Sequence, residues 1–236
     1  MNPGTFIMID GIAGSGKTTV IAAMFDALTA RGLRCFRLQD WKETHPPTFE
    51  EISNFDVYFT FEPTRQWIGA AIRAEMSRAD QPYGGEELAH AFALDREIMY
   101  RRLIIPARRA GKIIIQDRGV TTSLAYQTAM PGALSFEQIG SLPGNVLALA
   151  HAPDVLILTS VSIDIVMRRI AEREDESKGV FQDTILLAKV MKNFQSKNFR
   201  ILFEESGTRI FDLDTSGTLA ESKTKAVARI TQLLKT

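Results

Sequence analysis

Cysteine occurs once in the 236 residues, at Cys35. A lone cysteine excludes an internal disulfide and a zinc site built on cysteines, and the burial habit of free cysteine predicts a packed position on a strand. A surplus of one charge is missing too: 28 lysines and arginines face 28 aspartates and glutamates. That balance speaks against nucleic acid or an anionic membrane surface as partner, for which a basic excess is expected. No apolar run approaches the roughly 20 residues of a membrane helix. No basic segment precedes the first apolar run, and Asp10 interrupts it early, which predicts no secretory signal and a cytoplasmic location. Repeats, low-complexity tracts and linkers are also lacking. The chain reads as one domain over 1–236, long enough for a sizeable core.

What is present alternates between strand and helix patterns. "TFIMID" (5–10), "KIIIQD" (112–117) and "DVLILT" (154–159) are short, nearly pure apolar runs, as expected of strands covered on both faces. "LRCFRL" (33–38), "VYFTF" (57–61) and "RIFDL" (209–213) are further strand candidates. Helical spacing covers 17–31, stopping at Gly32, and then a stretch near 65–77. After Gly84-Gly85 a long helical pattern runs from Glu86 to about Ala110, which Pro106 is expected to kink. Ser162 can cap a helix reaching about Arg173, and "TLAE" (218–221) fits a capping box opening a terminal helix. Residues 39–55, with Pro46-Pro47 and scattered charge, read as a surface loop insertion. The pattern predicts an α/β fold, a doubly wound parallel sheet of about five strands with helices on both faces.

"DGIAGSGKTT" (10–19) follows the first strand and opens a helix. Gly11, Ile12, Ala13, Gly14, Ser15, Gly16, Lys17 and Thr18 satisfy G-x-x-x-x-G-K-[ST], with Thr19 next in line. Glycines allow backbone N–H groups to turn in around phosphate oxygens, lysine adds a point charge, and the threonine hydroxyl suits Mg²⁺. The helix that follows directs its positive end at the anion. This loop predicts a bound nucleoside triphosphate. An N-K-x-D guanine-reading motif is absent, which excludes an ordinary GTPase switch, and the length leaves no room for the extra domains of most motors.

Three further segments suggest a second phosphate site. Asp117 and Arg118 end a buried strand, at the sheet edge where ligands of open α/β folds sit; the aspartate can hold Mg²⁺ through water and the arginine can reach a phosphate. Phe92 and Arg96 are four apart and share a helix face. Leu94, Ile98 and Ile105 form the apolar stripe roughly 140–200° round at 3.6 residues per turn, which leaves Phe92 free as a stacking platform and Arg96 to reach for phosphate. "MRRIAEREDESKGVF" (167–181) is dense in charge and reads as a lid (about 168–182) bringing arginines over a transferring phosphoryl group.

Taken in order, "DGIAGSGKTT", "FEPT" (61–64), "FALDR" (92–96), "PARRAGKIIIQDR" (106–118), "TSLAYQ" (122–127), "APDVLIL" (152–158) and the arginine-rich segment resemble thymidylate (dTMP) kinases, a group of P-loop nucleoside monophosphate kinases. The resemblance implies ATP as donor, Mg²⁺ as cofactor, dTMP as acceptor and a homodimer. It implies that Phe92 stacks on thymine, that Arg96 binds the acceptor monophosphate with Glu62 nearby, and that Arg65 and Arg118 flank the transferred group. Ser123 and Gln127 line the nucleotide pocket, Thr18 and Asp117 organise the metal, and Arg169 or Arg173 acts from the lid. Several positions depart from the family. Ala13 stands where an acidic residue usually contacts the acceptor sugar's 3′-hydroxyl, Gly119 where an aromatic residue or histidine is usual, and Phe61 where bacterial relatives carry arginine. Gly14 lies where some eukaryotic relatives keep an arginine, and 39–55 exceeds the usual length. Two alternatives stay open: a kinase of another small acceptor, such as a deoxynucleoside or a different monophosphate, and a non-catalytic nucleotide-binding regulatory module.

Overall fold

Six strands form one parallel sheet in the order β2-β3-β4-β1-β5-β6. They are β1 (Phe6–Asp10), β2 (Cys35–Arg37), β3 (Val57–Phe61), β4 (Ile113–Asp117), β5 (Val155–Ser160) and β6 (Arg209–Asp214). The computed structural model describes residues 3–78, 81–171 and 184–234. Successive side chains of a strand point to opposite faces, so the apolar runs feed two cores. Phe6 and Met8 of β1 and Ile114 of β4 enter one, whereas Ile7, Ile9 and Ile115 enter the other. All five residues of β1 are buried, which is why the run shows no polar alternation.

Helix α1 (Lys17–Thr29) and the last helix, α11 (Leu219–Leu233), cover the face bearing Ile7 and Ile9 through Val20, Met24, Ala226 and Ile230. The capping box at Thr218 is formed: Glu221 N–H donates to Thr218 Oγ1 at 3.2 Å, and Thr218 N–H to Glu221 Oε2 at 2.7 Å. The opposite face carries α2 (Trp67–Ala71), α3 (Gly85–Met99), α4 (Ile105–Arg109), α5 (Val120–Tyr126), α6 (Phe136–Ser141) and α7 (Pro143–Ala150). Also there are α8 (Ile163–Ala171), α9 (Thr184–Gln195) and α10 (Lys197–Glu205). The adjacent strands β1 and β4 thus send their connections to opposite faces, α1 to one and α5 to the other. That divergence opens a crevice beyond their carboxyl ends, where ligands of such folds bind.

The sheet has six strands rather than about five, because the edge run around Cys35 does pair, over three residues, with β3. Cys35 itself is only half-buried. The insertion is not a solvated loop. Ile52 is buried, Tyr58 Oη donates to Ile52 O at 2.7 Å, and Phe36 packs with Trp41, Phe55 and Tyr58. Aromatics among its polar residues make it a packed flap.

The long helical pattern also runs differently from expectation. It passes through a π-helical turn at Tyr100–Ile104 into α4. Pro106 has no N–H for the carbonyl four residues back, and that carbonyl, of Arg102, accepts instead from Phe49 N–H of the flap at 2.9 Å. The stripe is only partly as expected: Leu94 is 47% exposed and Ile98 half-buried, Ile105 packs against the core, and Leu88, Phe92 and Met99 face it together with Arg96. Periodicity assigns an arginine to solvent, and here it is neutralised inside.

Ile52→Ala checks the flap. With Ile52 at 4% exposure, the variant is expected to lose about 2–4 kcal/mol in a denaturant titration, where a solvated loop would lose almost nothing.

Candidate active site

The glycine loop is fastened from several sides. Gly16 stands at φ 85° as the N-cap of α1, a left-handed conformation that a side chain would strain. Ser15 Oγ and Thr159 Oγ1 of β5 lie 2.6 Å apart, and Thr215 Oγ1 donates to Ser15 O at 2.7 Å. Ser15 therefore faces the scaffold, and Gly11 lies against Thr159 behind the loop. Lys17 Nζ donates to Gly11 O at 2.9 Å and to Ile12 O at 2.8 Å, so its charge is held within the loop. Ala13, Gly14, Gly16, Lys17, Thr18 and Thr19 border a cavity of ≈ 590 Å³. Across it stand Glu62, Arg65, Asp117 and Arg118.

The β1 and β4 ends meet through buried polar groups. Asp10, fully buried, accepts from Gly11 N–H at 2.7 Å and from Thr122 Oγ1 at 2.6 Å, with Arg118 Nη1 at 3.8 Å. Asp117 Oδ1 is buried with no partner among the described residues. Burial pushes the Asp117 carboxyl up, against the pull of Lys17 and Arg118. For Arg118 burial opposes the charge, yet Tyr126, Asp10 and Asp117 outweigh it and hold the guanidinium above its ordinary value. Arg118 lies over the Tyr126 ring at 5.7 Å, in a left-handed backbone (φ 66°). At Gly119 a Cβ would come within 2.5 Å of Met8 Cε, so a larger residue there would require the Met8 side chain to move. Tyr126 Oη accepts from Ala13 N–H at 2.7 Å, so the position that lacks a carboxylate is tied through its backbone to α5.

A second cavity, of ≈ 270 Å³, is lined by Pro63, Arg73, Phe92, Arg118, Tyr126 and Gln127 among others. Phe92 and Gln127 thus come together as the sequence suggests. Gln127 is 1% exposed, and neither amide atom has a partner among the described residues. Arg96 lies behind this wall, fully buried, as does Ser123. Arg96 Nη2 donates to Glu62 Oε2 at 2.6 Å and to Ser123 Oγ at 2.9 Å, and Nη1 donates to Asn145. Gln116 Nε2 donates to Glu62 Oε1 at 3.0 Å. The expectation that places Arg96 at a phosphate meets a buried guanidinium whose Nη1 and Nη2 are taken by protein partners, with Nε left without one among the described residues.

The sequence reading missed Arg73. It borders both cavities, and its Nε donates to the carbonyls of Pro63 and Thr64 at 2.9 Å. Burial lowers its pKa, as do Arg65 and Arg118 beside it. The signal was present: positions 69, 70, 76 and 77, three and four residues to either side, are Gly69, Ala70, Met76 and Ser77, so no carboxylate stands at helical pairing distance. Arg169 stands off the transfer cavity, its Nη2 donating to Thr215 O at 2.7 Å and Nη1 to Gly14 O at 3.5 Å. Arg173 lies outside the described residues.

An anion cradle, a cationic cluster and a buried acid therefore share one crevice, next to an aromatic pocket with an unpaired amide. Such a site can hold two anionic groups end to end and shield their repulsion. A family model described as "Thymidylate kinase" matches residues 48–225. A thymidylate kinase of Desulfotalea psychrophila is 31% identical over 198 residues, covering 84% of each chain. The thymidylate kinase of Ruthia magnifica is 30% identical over 226 residues, 94% of this chain and 95% of the relative. A probable thymidylate kinase of Pyrococcus horikoshii is 32% identical over 174 residues, 72% of this chain and 71% of its own. The family-model match over residues 48–225 and these relatives show that the chain belongs to the thymidylate kinase family, a family of phosphotransferases.

Proposed function

We propose that the chain transfers the γ-phosphoryl group of ATP to dTMP, giving ADP and dTDP, as a single-domain cytoplasmic enzyme. The observation that carries the acceptor is Gln127. Its buried amide offers one acceptor and two donors to the smaller cavity, matching the N3–H and carbonyl edge of a thymine stacked on Phe92. From that position the 5′-phosphate reaches the cationic end, where Arg73 and Arg118 border both cavities. Arg65 joins them from the larger one.

The glycine loop and Lys17 hold the donor phosphates. An acceptor phosphate oxygen attacks the γ-phosphorus, its new P–O bond forming as the bond to ADP breaks. No side-chain base is needed, since an ionised phosphate is already the nucleophile and catalysis rests on alignment and charge neutralisation. Thr18 and Asp117 border the same cavity and offer hard oxygen donors, and the unpartnered Asp117 Oδ1 fits a hydrated Mg²⁺. Held by Thr18 and Asp117, Mg²⁺ would supply charge neutralisation at the donor phosphates. The enclosure of Arg96 supports a role in holding the wall behind Phe92 rather than the phosphate, and Arg169 fastens the loop to the turn at Thr215. Leu94 and Val146, 47% and 51% exposed on the packed pair α3 and α7, support a homodimer through that face.

ADP release measured against a panel of nucleosides and monophosphates tests the acceptor. Turnover with dTMP is expected, and turnover only with another acceptor would refute it. Gln127→Leu is expected to raise the dTMP KM about tenfold with the ATP KM unchanged, and Arg73→Ala to raise it further.

Asp117→Asn tests the metal ligand and carries a pH signature. The folded pKa of Asp117 stands above that of the unfolded chain. Its stabilising contribution is therefore greatest below about pH 4, and is lost as the pH rises through the folded pKa. The variant escapes that loss, so its stability advantage in unfolding titrations should widen as the pH rises above about 4. Its turnover should fall about a hundredfold. Leu94→Glu is expected to shift the mass in light scattering from dimer to monomer.

A further inference from the structure

Arg65 and Arg73 meet over one ring. Phe61, the last residue of β3, pairs in register with Asp117 and so brings its side chain to the rim of the larger cavity. The Arg73 guanidinium carbon stands 5.2 Å from the Phe61 ring centroid, and that of Arg65 stands 5.7 Å away. Neither arginine pairs with a carboxylate among the described residues. Arg73 Nε is engaged by the Pro63 and Thr64 carbonyls, and Arg118 is close enough to add to the repulsion it feels.

Three like charges so close repel one another; the Pro63 and Thr64 carbonyls restrain Arg73 at Nε, while the exposed Arg65 would swing toward water unless something attractive holds it. The electron-rich face of a benzene ring does so without neutralising them. A carboxylate at that place would hold them too, but would cancel the field an anionic acceptor needs. An aliphatic side chain would fill the space and provide no attraction.

We propose that Phe61 is a positioning residue for the acceptor: its π face keeps Arg65 and Arg73 at the mouth of the acceptor cavity, ready for the incoming phosphate. The inference rests on the acceptor being a nucleoside monophosphate. Its consequence is a specific division of kinetic effects. Weakening the ring's quadrupole at constant shape should loosen acceptor binding and leave donor binding alone, because the cations over the ring are Arg65 and Arg73.

The test replaces Phe61 with 4-fluoro-, 3,5-difluoro- and pentafluorophenylalanine, which preserve shape while draining the ring face. The dTMP KM is expected to rise stepwise, reaching about tenfold for the pentafluoro ring, while the ATP KM and kcat stay within about twofold. Phe61→Leu should match the pentafluoro protein, and Phe61→Tyr should restore the natural value. Thermal unfolding of each protein separates a lost fold from a lost contact. A dTMP KM that is flat across the series, in a protein that turns over dTMP, overturns the inference and leaves the acceptor assignment standing. Failure of the natural protein to turn over dTMP sinks the assignment instead. The ring contact is then decided by NMR: upfield-shifted Arg65 and Arg73 Nε–H resonances that relax in Phe61→Leu uphold it, and unshifted ones overturn it.

Discussion

Arg96 is the largest of the fully buried side chains, and its pairing with Glu62 sets the geometry of the acceptor side. An unpaired guanidinium at that depth would cost several kcal/mol, on the order of a broken buried ion pair. Burial pushes the Glu62 carboxyl up and Arg96 pulls it back down, so the carboxylate relies on its arginine partner. The remaining partners come from different elements: Gln116 on β4, Ser123 on α5 and Asn145 on α7. One buried pair therefore fixes the loop after β3 against three other elements. Phe92, one turn before Arg96 on α3, and Gln127, one turn after Ser123, inherit their places from it.

A second constraint acts on the same loop. Asp95 accepts from Thr64 N–H at 2.7 Å and from Thr64 Oγ1 at 2.6 Å. Adjacent residues of α3 thus hold both ends of the Glu62–Thr64 turn. Arg73, bonded to the Pro63 and Thr64 carbonyls, takes its position from a backbone already pinned twice. Such support matters in phosphoryl transfer, where the protein contributes alignment more than covalent chemistry.

Much of this was legible in the residues. Short apolar runs between glycine and charge located the strands because both faces of the sheet are covered, and the loop at 11–18 carries its chemistry in its residue types. What stayed hidden shares one physical cause. Periodicity sorts residues by polarity, and it fails where a polar group is buried with its partner. Arg96 lies on the buried side of α3, while Leu94 of the apparent stripe is in solvent. The flap at 39–55 looked polar because its aromatic residues are spaced irregularly, and its contact with the Arg102 carbonyl, freed by Pro106, depends on tertiary structure. Arg73 was missed because a single arginine on a helix resembles a solvated one until its missing carboxylate neighbours are considered.

Donor and acceptor sides are joined by short, direct bonds rather than by a long chain of contacts. Asp10 closes β1, receives the Gly11 amide, and binds the hydroxyls of Thr121 and Thr122 at the start of α5. Tyr126, at the other end of α5, receives the Ala13 amide and lies under Arg118. The donor loop is thus bonded to both ends of the helix whose next residue is Gln127. Two polyanions brought together repel strongly, and a loop free to shift would relieve that repulsion by retreating. Bonds at both ends of α5 oppose the retreat, so in the proposed reaction the repulsion would have to fall through charge neutralisation by Lys17 and Arg118. At position 13 the backbone supplies one of those bonds, a service that asks nothing of the side chain and leaves alanine sufficient for it.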